Sequence, residues 1–151
     1  MDIGAGKGYP SAALSNFAPH EFEFRGVKCA SMEGLLQSFK FKSPEMQVEI
    51  CKMVGIKAKQ RGKDKKWYRQ QTLYWQGIPI KRDSQEYQDM LDEAYNAMAQ
   101  NGGFRSALLA TNKAVLTHSL GKSKINETVL TQSEFCGRLM RLREKMIKGE
   151  I

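Results

Sequence analysis

The stretch Ser31-Met32-Glu33-Gly34-Leu35-Leu36-Gln37-Ser38-Phe39-Lys40-Phe41 constrains the fold of this chain more than any other. Met32, Leu35, Leu36 and Phe39 recur at i, i+3, i+4 and i+7, the apolar stripe of a helix laid against a core. Glu33, Gln37 and Lys40 keep helical spacing one residue later, so a carboxylate, an amide and an amine share a second face. The third face is Gly34, Ser38 and Phe41, which is not the charged exterior of a solvated helix. Such a helix is expected to pack on two sides, with its polar stripe lining a cleft between them. The plainer alternative is a partly solvated Glu33/Lys40 face with no chemistry.

Upstream, Gly4-Ala5-Gly6-Lys7-Gly8-Tyr9-Pro10 leads into Leu14-Ser15-Asn16-Phe17-Ala18-Pro19. Alternating glycines allow close backbone approach, so amide N–H groups there, Gly8 included, could converge on a phosphate. No lysine and hydroxyl pair follows, which excludes a nucleotide P-loop, and a mobile amino terminus is the alternative.

Charge narrows the partners. The chain carries 24 basic and 16 acidic residues, a net +8, which favours an anionic partner. Lys57, Lys59, Arg61, Lys63, Lys65, Lys66 and Arg69 are opposed only by Asp64 between residues 57 and 69, and Trp67, Tyr68, Tyr74 and Trp75 follow closely. Cations that hold phosphates beside rings that stack on unstacked bases suit single-stranded or opened nucleic acid. Lys63, Lys65, Lys66 and Arg69 are therefore candidate nucleic-acid contacts, and Trp75 a candidate stacking residue. The alternative is a solvated basic loop whose aromatics point inward.

At 151 residues and 41% hydrophobic, the chain has material for one core and one domain, residues 1–151. No apolar run approaches the ~20 residues of a membrane span and no signal-peptide core opens the chain, so a cytoplasmic protein is expected. Cys29, Cys51 and Cys136 are odd in number and sit beside apolar residues, which indicates reduced core thiols. With only His20 and His118 besides, no metal site or cofactor is expected.

The rest reads as scaffold. Ser43-Pro44 starts a second helix that runs to Gly55, and Asp83-x-x-Glu86 is a capping box for a third that stops at Asn101-Gly102-Gly103. Phe104 to Ala110 is a short helix, and Thr131-x-x-Glu134 caps a last one with Phe135, Leu139, Leu142 and Met146 inward. Strands are expected at Phe22 to Phe24, Val27 to Ala30, Ile78 to Lys81 and Lys113 to His118. The fold class is α+β, helix-dominated, with a few short strands. His118, ending a strand, could reach the cleft, or be a satisfied buried histidine.

The run Leu14-Ser15-Asn16-Phe17-Ala18-Pro19, then Phe22, Gly26, Ser31-x-Glu33, Gln37 and Lys40-Phe41, resembles the signature of the NADAR (NAD and ADP-ribose associated, YbiA-like) domain family. The resemblance continues through Arg82 to Tyr95 and Asn101 to Ala110, and ends at Gly137-x-Leu139-Met140-x-x-Arg143. The loop Ser119 to Thr128 departs from it, lacking the Asp and the Trp-Gly pair of many members. The chain looks most like compact phage and bacterial members.

The resemblance implies an N-glycosidase, acting on ADP-ribose joined to guanine in nucleic acid or on a phosphorylated riboflavin-pathway intermediate. It also implies a ligand pocket containing Asn16, Phe17, Glu33, Gln37 and Lys40. Glu33 would stabilise an oxocarbenium-like transition state, or Lys40 would attack the sugar as a Schiff-base amine. Ser15, Ser31 and His118, with Gly8 and Trp75, complete the candidate ligand-binding set. The expected function is a hydrolase that frees ADP-ribose from a nucleobase, with ADP-ribose or ADP-ribosylated nucleic acid as partner. The metabolite N-glycosidase and a non-catalytic ADP-ribose, NAD or nucleic-acid binding module are the alternatives.

Overall fold

The structure, a computed structural model, describes residues 1–151. Two hairpins and five of the six helices contribute to one core of 30 buried apolar residues. The hairpins pair β1 (Phe22–Phe24) with β2 (Val27–Cys29), and β3 (Thr72–Trp75) with β4 (Ile78–Lys81), both antiparallel. Each closes through two residues at positive φ, Arg25-Gly26 and Gln76-Gly77, whose twist matches that of the flanking strands. The strand at 113–118 does not form. Only an isolated parallel bridge, Asp2 to Thr117, is made there, because the three residues Met1 to Ile3 are all that lie alongside, with Thr117 N donating to Met1 O and Ile3 N to Thr117 O.

Helix α1 (Met32–Ser38) starts at Ser31, whose Oγ accepts from Gly34 N at 3.1 Å and donates to Met53 O at 2.9 Å. Met32, Leu35, Leu36 and Phe39 are buried, with Phe39 edge-on to Trp75 and Tyr87. The Gly34 face meets α2 (Pro44–Cys51): a Cβ on Gly34 would lie 2.7 Å from Met53 O and 2.9 Å from Ile50 O. The helix is therefore packed on two sides, as its residue pattern requires.

Helix α2 ends at Cys51 rather than running to Gly55, and residues 55–62, which overlap the start of the basic segment, form a separate helix α3 (Gly55–Gly62). This helix buries only Ala58 and Gly62. Helix α4 (Gln85–Met98) is capped by Ser84 rather than Asp83, since Ser84 Oγ accepts from Tyr87 N at 3.1 Å. Helix α5 (Gly102–Ala110) begins two residues before Phe104, because Asn101 Oδ1 caps it. Helix α6 (Gln132–Ile147) carries the expected Thr131/Glu134 capping box, and all three cysteines are free and buried.

A buried ion pair ties the carboxy-terminal elements to the segment that rims the site. The Arg82 guanidinium, fully buried, makes two bonds to Glu134 (3.0 and 2.6 Å) and one to Thr128 O (2.8 Å), and lies over the Tyr87 ring. Tyr87 OH donates to Val129 O at 2.6 Å. Burial alone would raise the Glu134 carboxyl, but its bonds to Arg82, Thr131 and Gln88 hold it below its ordinary value. Arg143 acts likewise at the turn after α5, donating to Thr111 Oγ1 and Ala114 O at 2.8 Å each. No helix is long and apolar enough to cross a membrane.

Candidate active site

The polar face of α1 forms one wall of a cavity of about 420 Å3. Glu33 and Gln37 project from the helix and Lys40 from the turn after it. Asn16 and Phe17 form the adjoining wall, and the connection is backbone-made: Asn16 O accepts from Glu33 N at 2.9 Å, satisfying a first-turn donor of α1. Asn16 Oδ1 accepts from the buried Tyr95 hydroxyl at 2.7 Å, leaving the amide nitrogen without a protein partner. Ser15 also lines the cavity and its Oγ accepts from Phe17 N at 3.1 Å.

Glu33 and Lys40 make no ion pair with each other. Gln37 Nε2 donates to Glu33 Oε2 at 2.7 Å, and Lys40 Nζ donates to Gly62 O at 3.4 Å. Burial raises the Glu33 carboxyl above its ordinary value against the pull of Gln37 and Lys40. Burial also lowers the Lys40 amine, with Glu33 opposing. Each group is pushed toward its neutral form, the condition under which a carboxyl can hand on a proton and an amine can attack. Gly62 makes this packing possible, because a Cβ there would collide with Gln37 Oε1 and sit 3.2 Å from Lys40 Cδ. Gln37 Oε1 is buried and has no hydrogen-bond partner.

Across the cavity, His118 is fixed by Ile3 and Phe135. Its Nδ1 lies 2.7 Å from Ile3 O, and since a carbonyl only accepts, Nδ1 carries the hydrogen and Nε2 is left free. The ring stands edge-on to Phe135 at 5.2 Å. Asp2 holds the adjacent loop, accepting from Ser119 N at 2.8 Å and Ser119 Oγ at 2.6 Å, and these bonds lower its carboxyl to about 2.

Of the residues expected at the site, Ser15, Asn16, Phe17, Glu33, Gln37, Lys40 and His118 come together around this one cavity. Three do not line it. Trp75 belongs to the core, 6% exposed and 4.9 Å edge-on from Phe24, because it lies on the inward side of β3. Ser31 is spent on capping α1, and Gly8 is exposed, its carbonyl accepting from Ala12 N, while Gly4 and Ala5 reach the cavity instead. Lys63, Lys65, Lys66 and Arg69 are exposed outside the cavity, with Lys65 Nζ 4.7 Å above the Phe41 ring. The residues that sequence reasoning missed are Lys59 from α3, Trp67, and Lys122 and Glu127 from the 119–128 loop. Tertiary contact alone brings them in, although Trp67 carried the same aromatic signal as Trp75. No three His, Cys, Asp or Glu side chains cluster as a metal site would require.

This architecture is an α+β fold of the YbiA type. The NMR structure of the E. coli protein YbiA matches it with a TM-score of 0.62 over 98% of this chain and 84% of that one, at 21% identity. Residues 8–144 match the family described as bacteriophage protein GP30.3, and the chain belongs to that family. It is 38% identical, over 97% of its length and 98% of the relative's, to the 17.1 kDa protein of the Gp30-rIII intergenic region of Enterobacteria phage T4.

Proposed function

We propose that the protein is a NADAR-type N-glycosidase that hydrolyses the bond between ADP-ribose and a nucleobase, guanine in DNA being the preferred substrate. One observation carries the reading: Glu33 and Lys40, both shifted toward neutrality by burial, lie on the wall of a cavity rimmed by the cations Lys59 and Lys122. Its volume falls within the roughly 300–1,000 Å3 usual for small-ligand sites. The cations suit the diphosphate, Phe17 and Trp67 offer faces for a base, and the free Asn16 amide suits a sugar oxygen.

The chemistry then follows from charge. As the C1–N bond breaks, positive charge builds on the ribose ring and electrons pass to the base, which takes up a proton. Glu33 can supply that proton from its acid form or, ionised, stabilise the ring cation. In the direct route water adds to C1 and loses a proton. In the covalent route the neutral Lys40 amine adds to C1, the ring opens to an imine, and water releases the sugar and restores the amine.

The test is to incubate the protein with an ADP-ribosylated DNA oligonucleotide and weigh the products. Free ADP-ribose and an unmodified oligonucleotide are expected; an unchanged substrate refutes the activity. A second reading rests on the position of Lys63, Lys65, Lys66 and Arg69 outside the cavity. A small phosphorylated ribosyl-amine, such as a riboflavin-pathway intermediate, would need only the cations that line it.

A further inference from the structure

The groove between α4 and α6 holds a separate cavity of about 260 Å3. Asp92, Tyr95 and Asn96 line it from α4, and Arg138, Arg141 and Lys145 from α6. Positions 138, 141 and 145 are i, i+3 and i+7, so three cations form one stripe along the helix and face a single carboxylate.

Arg138 is 6% exposed and rigidly held. Its Nη1 donates to Glu134 O at 3.1 Å, and its Nη2 donates to Gln88 O at 3.1 Å and Gln88 Oε1 at 2.9 Å. Its Nε lies 2.9 Å from Asp92 Oδ1, but the N–H is not directed at that oxygen and has no hydrogen-bond acceptor. The same Asp92 oxygen is the one carboxylate atom near Arg141, at 3.8 Å. Lys145 has no acidic partner, and the neighbouring carboxylates are engaged elsewhere: Glu93 by Arg25, Glu134 by Arg82 and Glu144 by Lys148. One half-exposed carboxylate thus serves two guanidinium groups, and the ammonium has none.

We propose that this groove is a second anion site, which takes the oxygens of a phosphate or pyrophosphate group. A pinned guanidinium at its base, two exposed cations at its mouth and the Asn96 amide offer donors from two helices, and a tetrahedral oxyanion accepts from several directions at once. Tyr95 stands between this groove and the Glu33 cavity, since it lines the former and its hydroxyl bonds Asn16 in the latter. The site is independent of the glycosidase reading and survives its failure.

Titration of the full chain with sodium pyrophosphate, followed by 1H–15N NMR against sodium chloride at equal ionic strength, tests it. Amides of Asn96, Arg141 and Lys145 are expected to move together and saturate as one set, distinct from any set at Lys59, Gly121 and Lys122. R141A/K145A changes two exposed side chains and should weaken the first set roughly tenfold or more while sparing the second. D92N, which removes the competing charge, should tighten it. Movement confined to the Lys59 set, an equal response to chloride, or no effect of R141A/K145A overturns the proposal. A single-stranded oligonucleotide forms the second arm: a response to it that pyrophosphate competes away identifies a backbone phosphate as the source, and a response to pyrophosphate alone identifies a free one, either of which upholds the site.

Discussion

Gly34→Ala separates local from tertiary control of the helix that carries Glu33. By intrinsic propensity the change should stabilise, since alanine is favoured over glycine in a helix interior by roughly 1 kcal/mol. The packing opposes it. The added Cβ would lie 2.7 Å from Met53 O, 2.9 Å from Ile50 O and 3.2 Å from Cys51 O, so α1 and α2 must part by about 0.7 Å to reach ordinary contact at 3.4 Å. Those carbonyls cannot retreat freely, because they accept from Ser31 Oγ, Met53 N and Ala30 N respectively. Overpacking costs about 1–3 kcal/mol and each hydrogen bond disturbed adds about 1 kcal/mol. Steric cost therefore wins, with a net loss of about 2 kcal/mol after the propensity gain. In urea unfolding followed by far-UV circular dichroism, that loss lowers the midpoint by about 1 M for a slope near 2 kcal/mol/M. A midpoint that rises, as propensity alone demands, would refute the account of why this position is glycine.

Glu33→Gln keeps shape but removes the ionisable group, so turnover should fall ~100-fold or more while ADP-ribose still binds by calorimetry; unchanged turnover removes Glu33 from the chemistry. Because burial raises the Glu33 carboxyl, a step that needs its ionised form should show an acid limb above the ordinary carboxylate range, and one that needs its acid form an alkaline limb there. Either limb should vanish in Glu33→Gln. If the covalent route operates, borohydride added during turnover should trap an adduct on Lys40, seen by peptide mass spectrometry and absent in Lys40→Met; full activity in that variant leaves Lys40 a positioning residue. Neutralising Lys63, Lys65 and Lys66 together should weaken binding of a modified oligonucleotide and flatten log affinity against log salt, with free ADP-ribose binding as before. Parallel slopes would move the substrate from DNA to the small metabolite.

Two of the three helix-start signals local in sequence held in the structure, and the third, Asp83-x-x-Glu86, moved by one residue to Ser84. Ser43 and the Thr131/Glu134 box cap the helices they were expected to cap, because a cap is a contact between residues three apart; Ser31, expected at the ligand, caps α1 instead. The two-sided packing of α1 was legible for a similar reason: helical periodicity sorts its residues into faces before any partner is known. Helix α3 was not, since it buries only Ala58 and Gly62 and carries no apolar stripe to read. Strand β3 was hidden by the basic cluster before it, although the two-residue turn Gln76-Gly77 was a signal for the hairpin.

The same division runs through the site. The sequence by itself determined that a carboxylate and an amide share one face of a buried helix, because 3.6-residue periodicity is a property of the backbone; the amine of Lys40, expected on that helix, joins them from the turn after it. Tertiary structure alone decided what stands opposite that face. Lys59, Trp67, His118 and Lys122 reach the cavity from α3, the turn before β3, the segment bonded to the amino terminus and the loop before α6. No periodic pattern links these segments to α1, and their meeting depends on long-range contacts such as Asn16 O to Glu33 N and Tyr95 to Asn16. Which of Trp67 and Trp75 lines the cavity was decided the same way: two nearby tryptophans differ only in which side of a strand or turn the core covers, and the core is assembled by the whole chain.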